Sequence, residues 1–316
     1  MIFGRRVRSP FSPFERNPQM RKLYCTLTAL LLSLLLSGCG APSVPQPETL
    51  TVACTTCPVY LLAQAVSQGV DTVEPVLVVD QQLSCLHDYT LTMGDMKTIE
   101  GSSLLAINGA GMEEFLEDVL ERRTYLDCSQ GLDLLWNEEE EENDPHFWLD
   151  PSCAAQMAEN LARGLGEADP DHADTFTANA EAVSLRLNDL QQELKEALSA
   201  LPCRQLITFH DGFSYFARAF DLEIAASVEE EEGSEASARR ITELVALIDQ
   251  YHIPAVFTET NGPDSTAKAL AQERDIRVGT LNMGMSSDSL PEGLTGLEAY
   301  EWVIRSDVNA ILEAYA

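Results

Sequence analysis

Between residues 175 and 200 the chain runs without a proline or a glycine. Along that stretch Phe176, Ala180, Val183, Leu187, Leu190, Leu194 and Leu198 recur every three or four positions. Spacing of this kind lines one face of an α-helix. At 1.5 Å per residue the helix is on the order of 40 Å long, more than one small domain needs. A strut of that length must carry something at each end, so the chain is expected to build two bodies joined by a helix. A helical pattern already runs from residue 152, broken only at Ala168-Asp169-Pro170-Asp171, where Asp169 or Asp171 is a candidate cap.

Both flanks of the strut alternate strand and helix patterns. On the N-terminal side residues 50–54, 73–79 and 103–108 read as strands, the second rich in valine. Residues 59–68, 91–100 and 113–121 read as helices, the last entered through a turn at Gly109 and Gly111. After the strut, strands are expected at 204–209, 223–227, 255–259 and 278–282, with helices at 213–220, 238–251, 265–274 and 300–314. Strands alternating with helices build parallel sheets, and ligands of such sheets sit beyond the carboxyl ends of the strands. The expected fold is therefore α/β: two doubly wound parallel-sheet lobes, 49–151 and 203–316, joined by a linking helical region, 152–202.

The segment before the first strand has its own logic. Arg21 and Lys22 precede an apolar run over 23–36, too short to span a bilayer and of the length of a signal h-region. It ends in Leu36-Ser37-Gly38-Cys39, similar to the bacterial lipobox, whose cysteine is lipidated. Residues 1–38 are thus read as a lipoprotein signal peptide, with Met20 a candidate start, and the Pro-rich residues 39–48 as a tether. The formal net charge of −31 opposes nucleic acid and anionic lipid as partners and concentrates cations. Two acidic runs, 137–144 and 228–237, read as solvated loops, the first also as a cation-collecting arm close to His146.

There are five histidines. His87 follows the second strand. His146 lies in Asp144-Pro145-His146-Phe147-Trp148-Leu149-Asp150-Pro151, where each Asp-Pro step disfavours helix and stiffens the segment. His210 ends the first strand of the second lobe. These three can converge between the lobes as ligands of a divalent metal, since neutral imidazole suits Zn2+. The plainer alternative for His146 is a loop histidine packed under Trp148. His172, in a polar run, and His252, ahead of Ile253-Pro254, read as surface and loop residues. Three histidines with an open position also describe a hydrolytic zinc centre, but no His-Glu-x-x-His helix or Gly-x-Ser-x-Gly turn is present. Besides Cys25 and Cys39 the chain has Cys54, Cys57, Cys85, Cys128, Cys153 and Cys203. Six cysteines allow fifteen pairings. Cys57 and Cys85 both fall on the ligand edge of the first lobe and are the favoured bridge, with buried free thiols the alternative.

An ordered set of motifs carries a resemblance over nearly all of the chain after Cys39. It comprises Thr55-Thr56-Cys57-Pro58-Val59-Tyr60; His87-Asp88-Tyr89; Ile107-Asn108-Gly109-Ala110-Gly111-Met112-Glu113; and His146-Phe147-Trp148-Leu149-Asp150-Pro151. After the strut follow Thr208-Phe209-His210-Asp211-Gly212-Phe213-Ser214-Tyr215-Phe216 and Val256-Phe257-Thr258-Glu259. Together they resemble the metal-binding lipoproteins of ABC importers for zinc and manganese. The resemblance implies two lobes clamping one ion, with His87, His146 and His210 as ligands. A histidine at the third position looks like the zinc branch, so Zn2+ is the expected cargo ahead of Mn2+. The family's usual aspartate after the last strand is replaced here, within Leu281-Asn282-Met283. Asn282 offers only a neutral oxygen. Glu259 is the candidate fourth ligand, with a water or an imidazole-orienting role for Glu259 as the alternatives. Asp88 and Asp211 are candidates to support the neighbouring histidines, or helix caps. The implied protein is no enzyme. It is a monomeric, extracytoplasmic receptor, lipid-anchored to the bacterial cell membrane, that delivers metal to an ABC permease. The competing readings are a zinc-dependent hydrolase and a metal scavenger or adhesin acting through the acidic loops.

Overall fold

The fold grows from a buried central strand. In the computed structural model, which describes residues 49–80, 86, 89–138, 141–228, 236–260, 262 and 264–316, β1 (Leu50–Cys54) buries Val52, Ala53 and Cys54 completely. It pairs in parallel with β2 (Val73–Leu77) on one side and β3 (Leu104–Ile107) on the other. Helix α1 (Cys57–Val66) starts where Thr56 accepts a bond from the Val59 N–H, with Pro58 in the first turn, where a missing N–H costs nothing. Helix α2 (Met93–Gly101) opens on a capping box between Thr92 and Asp95.

The loop after β3 departs from the expected continuous helix over 113–121. A 3-10 turn, Glu114–Leu116, leads into the single helical turn α3 (Glu117–Leu120). The reason is local. Gly109, Ala110 and Gly111 all have positive φ, at 91°, 55° and 93°, and the Glu113 side chain turns back onto the backbone N–H groups of Asn108 and Gly109. A fourth strand, β4 (Leu126–Asp127), joins β3 and completes the order β2-β1-β3-β4. At two residues it is too short to show any periodicity. The first acidic run is also more ordered than a solvated loop: β5 (Trp136–Asn137) pairs antiparallel with β6 (Glu142–Asn143).

The strut is present. Helix α4 (Pro151–Ala168) is capped by Asp150, whose carboxylate accepts from the Ser152 N–H. After a 3-10 turn, Pro170–His172, helix α5 (Ala173–Leu198) runs 26 residues, about 39 Å. Its buried residues are the seven that set the helical spacing in the sequence. Helices α4 and α5 pack along each other.

In the second lobe β7 (Gln205–Thr208) pairs in parallel with β8 (Glu223–Ser227), and β9 (Ala255–Glu259) with β10 (Arg277–Leu281); β7 lies against β9. Helices α6 (Ser214–Ala219), α7 (Ala238–Tyr251) and α8 (Ser265–Arg274) alternate with these strands. His252 caps α7 in the left-handed conformation. The closing helix, α9 (Gly296–Tyr315), packs on β10 and also on α1 and α5. Bidentate pairs from Arg186 to Glu301 and from Arg305 to Glu193 tie it to the strut. Among the described residues no helix is long and apolar enough to cross a membrane. The signal and tether residues, including Cys39, lie outside the described residues.

Candidate metal centre

The segment before α4 delivers His146. Its backbone N–H donates to Asp144 Oδ1 at 2.9 Å, and the same oxygen lies 2.8 Å from its Nδ1. A 3-10 turn, Phe147–Leu149, follows and buries all three of its side chains. Trp148 Nε1 donates to the Met283 carbonyl at 2.8 Å, and the Tyr300 hydroxyl donates to the Trp148 carbonyl at 2.6 Å. These bonds lock the segment against the loop after β10 and against α9. The His146 residue is 2% exposed.

His210 follows β7 and is 8% exposed. The Thr208 hydroxyl holds its carbonyl at 3.0 Å. The two imidazoles meet edge to face, centroids 5.2 Å apart, with their Nε2 atoms 3.4 Å apart. The tautomer follows from the partners. A carboxylate at His146 Nδ1 requires the proton there, which leaves the lone pair on Nε2, facing His210. Gly212 lies beneath both rings. A Cβ at that position would sit 2.5 Å from Met283 Cε, 2.9 Å from His210 Cδ2 and 3.1 Å from His146 Cδ2.

Glu259 closes β9 and is buried. Its register partner on β10 is Leu281, so Asn282 emerges at the same end of the sheet. The Asn282 Oδ1 accepts from the Gly284 N–H at 2.9 Å, and its backbone N–H donates to Asp307 Oδ1 at 2.8 Å. Burial holds the Asp307 carboxyl well above the usual carboxylate range, with the charge of Glu259 adding to the effect. Asp211 Oδ2 accepts from Asn137 Nδ2 at 3.3 Å; the cap of α6 is Phe213, with no side-chain bond. His87, Asp88 and Cys85 lie outside the described residues. Among the described residues no three His, Cys, Asp or Glu side chains form a metal-holding group. What those residues do bring together is the His146–His210 pair.

Sequence reasoning passed over Asp144 as the orienting carboxylate, although an acid two residues before a histidine was in plain view. It also passed over Glu113. That carboxylate accepts from the Thr55 hydroxyl at 2.6 Å and from the N–H groups of Asn108 and Gly109 at 2.7 and 2.9 Å. Burial pushes it up to about 7 against the opposing pull of these donors. Cys54, Cys57, Cys128, Cys153 and Cys203 are buried free thiols. Burial pushes the Cys57 thiol up to about 12, with the charge of Asp80 adding to the effect. With Cys57 a free thiol and Cys85 undescribed, the favoured bridge has no support in the structure.

Comparison with known proteins fits this arrangement. The chain matches the family model of zinc-uptake complex component A, periplasmic (ZnuA), over residues 52–314. It is 28% identical over 244 residues to the zinc-binding protein TroA of Treponema pallidum, covering 73% of this chain and 78% of that protein. It is 24% identical over 267 residues to the manganese-binding lipoprotein MntA of Halalkalibacterium halodurans, covering 82% and 88%. The solved structure of the periplasmic zinc-binding protein TroA from Treponema pallidum superimposes with a TM-score of 0.73 at 26% identity, covering 85% of this chain and 99% of that one.

Proposed function

This chain belongs to the family of periplasmic zinc-uptake component A proteins, and from that membership we propose that it captures one Zn2+ between its lobes and hands it to an ABC permease. It is a binding protein and not an enzyme. The observation that carries the zinc reading is the 3.4 Å between His146 Nε2 and His210 Nε2. Two nitrogens each bound at 2.0–2.1 Å to a tetrahedral ion stand about 3.3–3.4 Å apart. In the metal-free protein the same spacing lets His210 donate to the lone pair of His146; on binding, that lone pair goes to the ion.

His87 supplies the third imidazole in this reading. Glu259 supplies the fourth ligand, because the Asn282 oxygen is engaged by Gly284 and a carboxylate binds a cation more strongly than a neutral amide. Imidazole ligands favour Zn2+ over the harder Mn2+. The boundaries of the proposed organisation are the lobes 49–151 and 203–316 with the linking region 152–202. Cys39 anchors the monomeric protein to the outer face of the cell membrane through lipid, with residues 39–48 as the tether.

Calorimetry tests the site. His146→Ala is expected to abolish tight, one-to-one zinc binding, and near-native affinity in that variant overturns the assignment. Cys39→Ser is expected to move the protein from the membrane fraction to the medium or periplasm; retention at the membrane removes the anchor from the scheme.

A further inference from the structure

We propose that Asn108 is a positioning residue for His146, an inference that rests on reading His146 as a ligand. Asn108 follows β3 and is fully buried. Its backbone is pinned, because the N–H groups of Asn108 and Gly109 both end on the Glu113 carboxylate, which also takes the Thr55 hydroxyl. From that fixed base the side-chain amide reaches across the chain. Nδ2 donates to the Pro145 carbonyl at 3.0 Å and to the Gly109 carbonyl at 3.2 Å.

The Pro145 carbonyl matters because of what shares its plane. The carbonyl of residue 145 and the N–H of residue 146 belong to one rigid peptide unit. Asn108 holds that unit at its oxygen, and Asp144 holds it at its nitrogen. Both ends of the plane that precedes the His146 Cα are therefore fixed, one from the first lobe and one from within the segment. The N–Cα axis that carries the imidazole is set before any ion arrives, and the Nδ1 contact with Asp144 holds the ring itself. Asn108 Oδ1 has no hydrogen-bond partner among the described residues. Leaving a buried oxygen unmatched costs free energy, which the two donor contacts of the amide offset.

Asn108→Ala and the near-isosteric Asn108→Leu both remove the donor to Pro145. The test measures the zinc Kd by competition with a chromophoric chelator, and the visible absorption of the Co2+-loaded protein, which reports ligand geometry and not stability. Expected are a loss of about 10–100-fold in affinity, the range for residues that orient a ligand from behind, and weakened, shifted Co2+ bands. Wild-type affinity and bands in either folded variant overturn the proposal. If neither variant folds, the wild type decides. A through-hydrogen-bond coupling between Asn108 Nδ2 and the Pro145 carbonyl is expected in the zinc-loaded protein, and its absence overturns the proposal. His146→Ala, measured alongside, separates the two layers: native zinc affinity there removes the ligand reading itself, whereas a loss there with native Asn108 variants removes only the positioning role.

Discussion

An imidazole serves a metal through whichever nitrogen keeps its lone pair, and at His146 a single carboxylate makes that choice. Asp144 Oδ1 takes both the backbone N–H and the Nδ1 side of the ring, so Nε2 alone faces His210. Asp144→Asn keeps the shape and removes the charge. It is expected to lower zinc affinity by about tenfold, the lower end for orienting partners, and an unchanged calorimetric Kd would refute that role. Glu113 makes a different prediction. Burial raises its carboxyl from an ordinary 4.5 to about 7. Between those values the folded chain holds a proton that the unfolded chain has released. The contribution of this group is then present on the acid side and lost as pH rises through the window. Metal-free melting curves should show the wild type losing stability relative to Glu113→Gln between about pH 4.5 and 7; a difference independent of pH counts against it.

At the scale of the elements, the strut is where sequence and structure agree best. Leu187 and Leu185 lie two positions apart on the same helix, yet one is 0% and the other 69% exposed. Leu187→Ala should cost about 2–5 kcal/mol in urea unfolding, while Leu185→Ala should change stability by less than about 0.5 kcal/mol. Equal costs would mean that the helix does not present the face that its spacing dictates. The strands over 223–227 and 255–259 lie where the sequence placed them; the second is an apolar run that Pro254 sets off from the helix before it. The helix expected over 113–121 is interrupted by competition. Its leading glutamate satisfies loop N–H groups instead of opening a helix, and no propensity scale carries that choice.

For the whole molecule, the cation proposed between the two lobes would link binding to stability. Zinc that binds only the folded chain stabilises it by mass action. Its ligands must be deprotonated, so the zinc-induced rise in Tm should shrink as the pH falls below about 6. A rise of the same size at pH 5 and pH 7.5 would argue against imidazole ligands. The strut, the strand–helix alternation on either side of it and the placing of His210 at a strand end were legible in the chain alone. Each depends on side chains within a few residues of one another, and helix and strand periods are local properties. The rest needed the folded molecule. Asn108 meets Pro145 across 37 positions, Trp148 meets Met283 across 135, and His146 meets His210 across 64. No pattern of neighbours encodes the angle at which two remote rings face each other. That angle comes from how the strut, the closing helix and the sheets pack, and packing is a property of the whole chain at once.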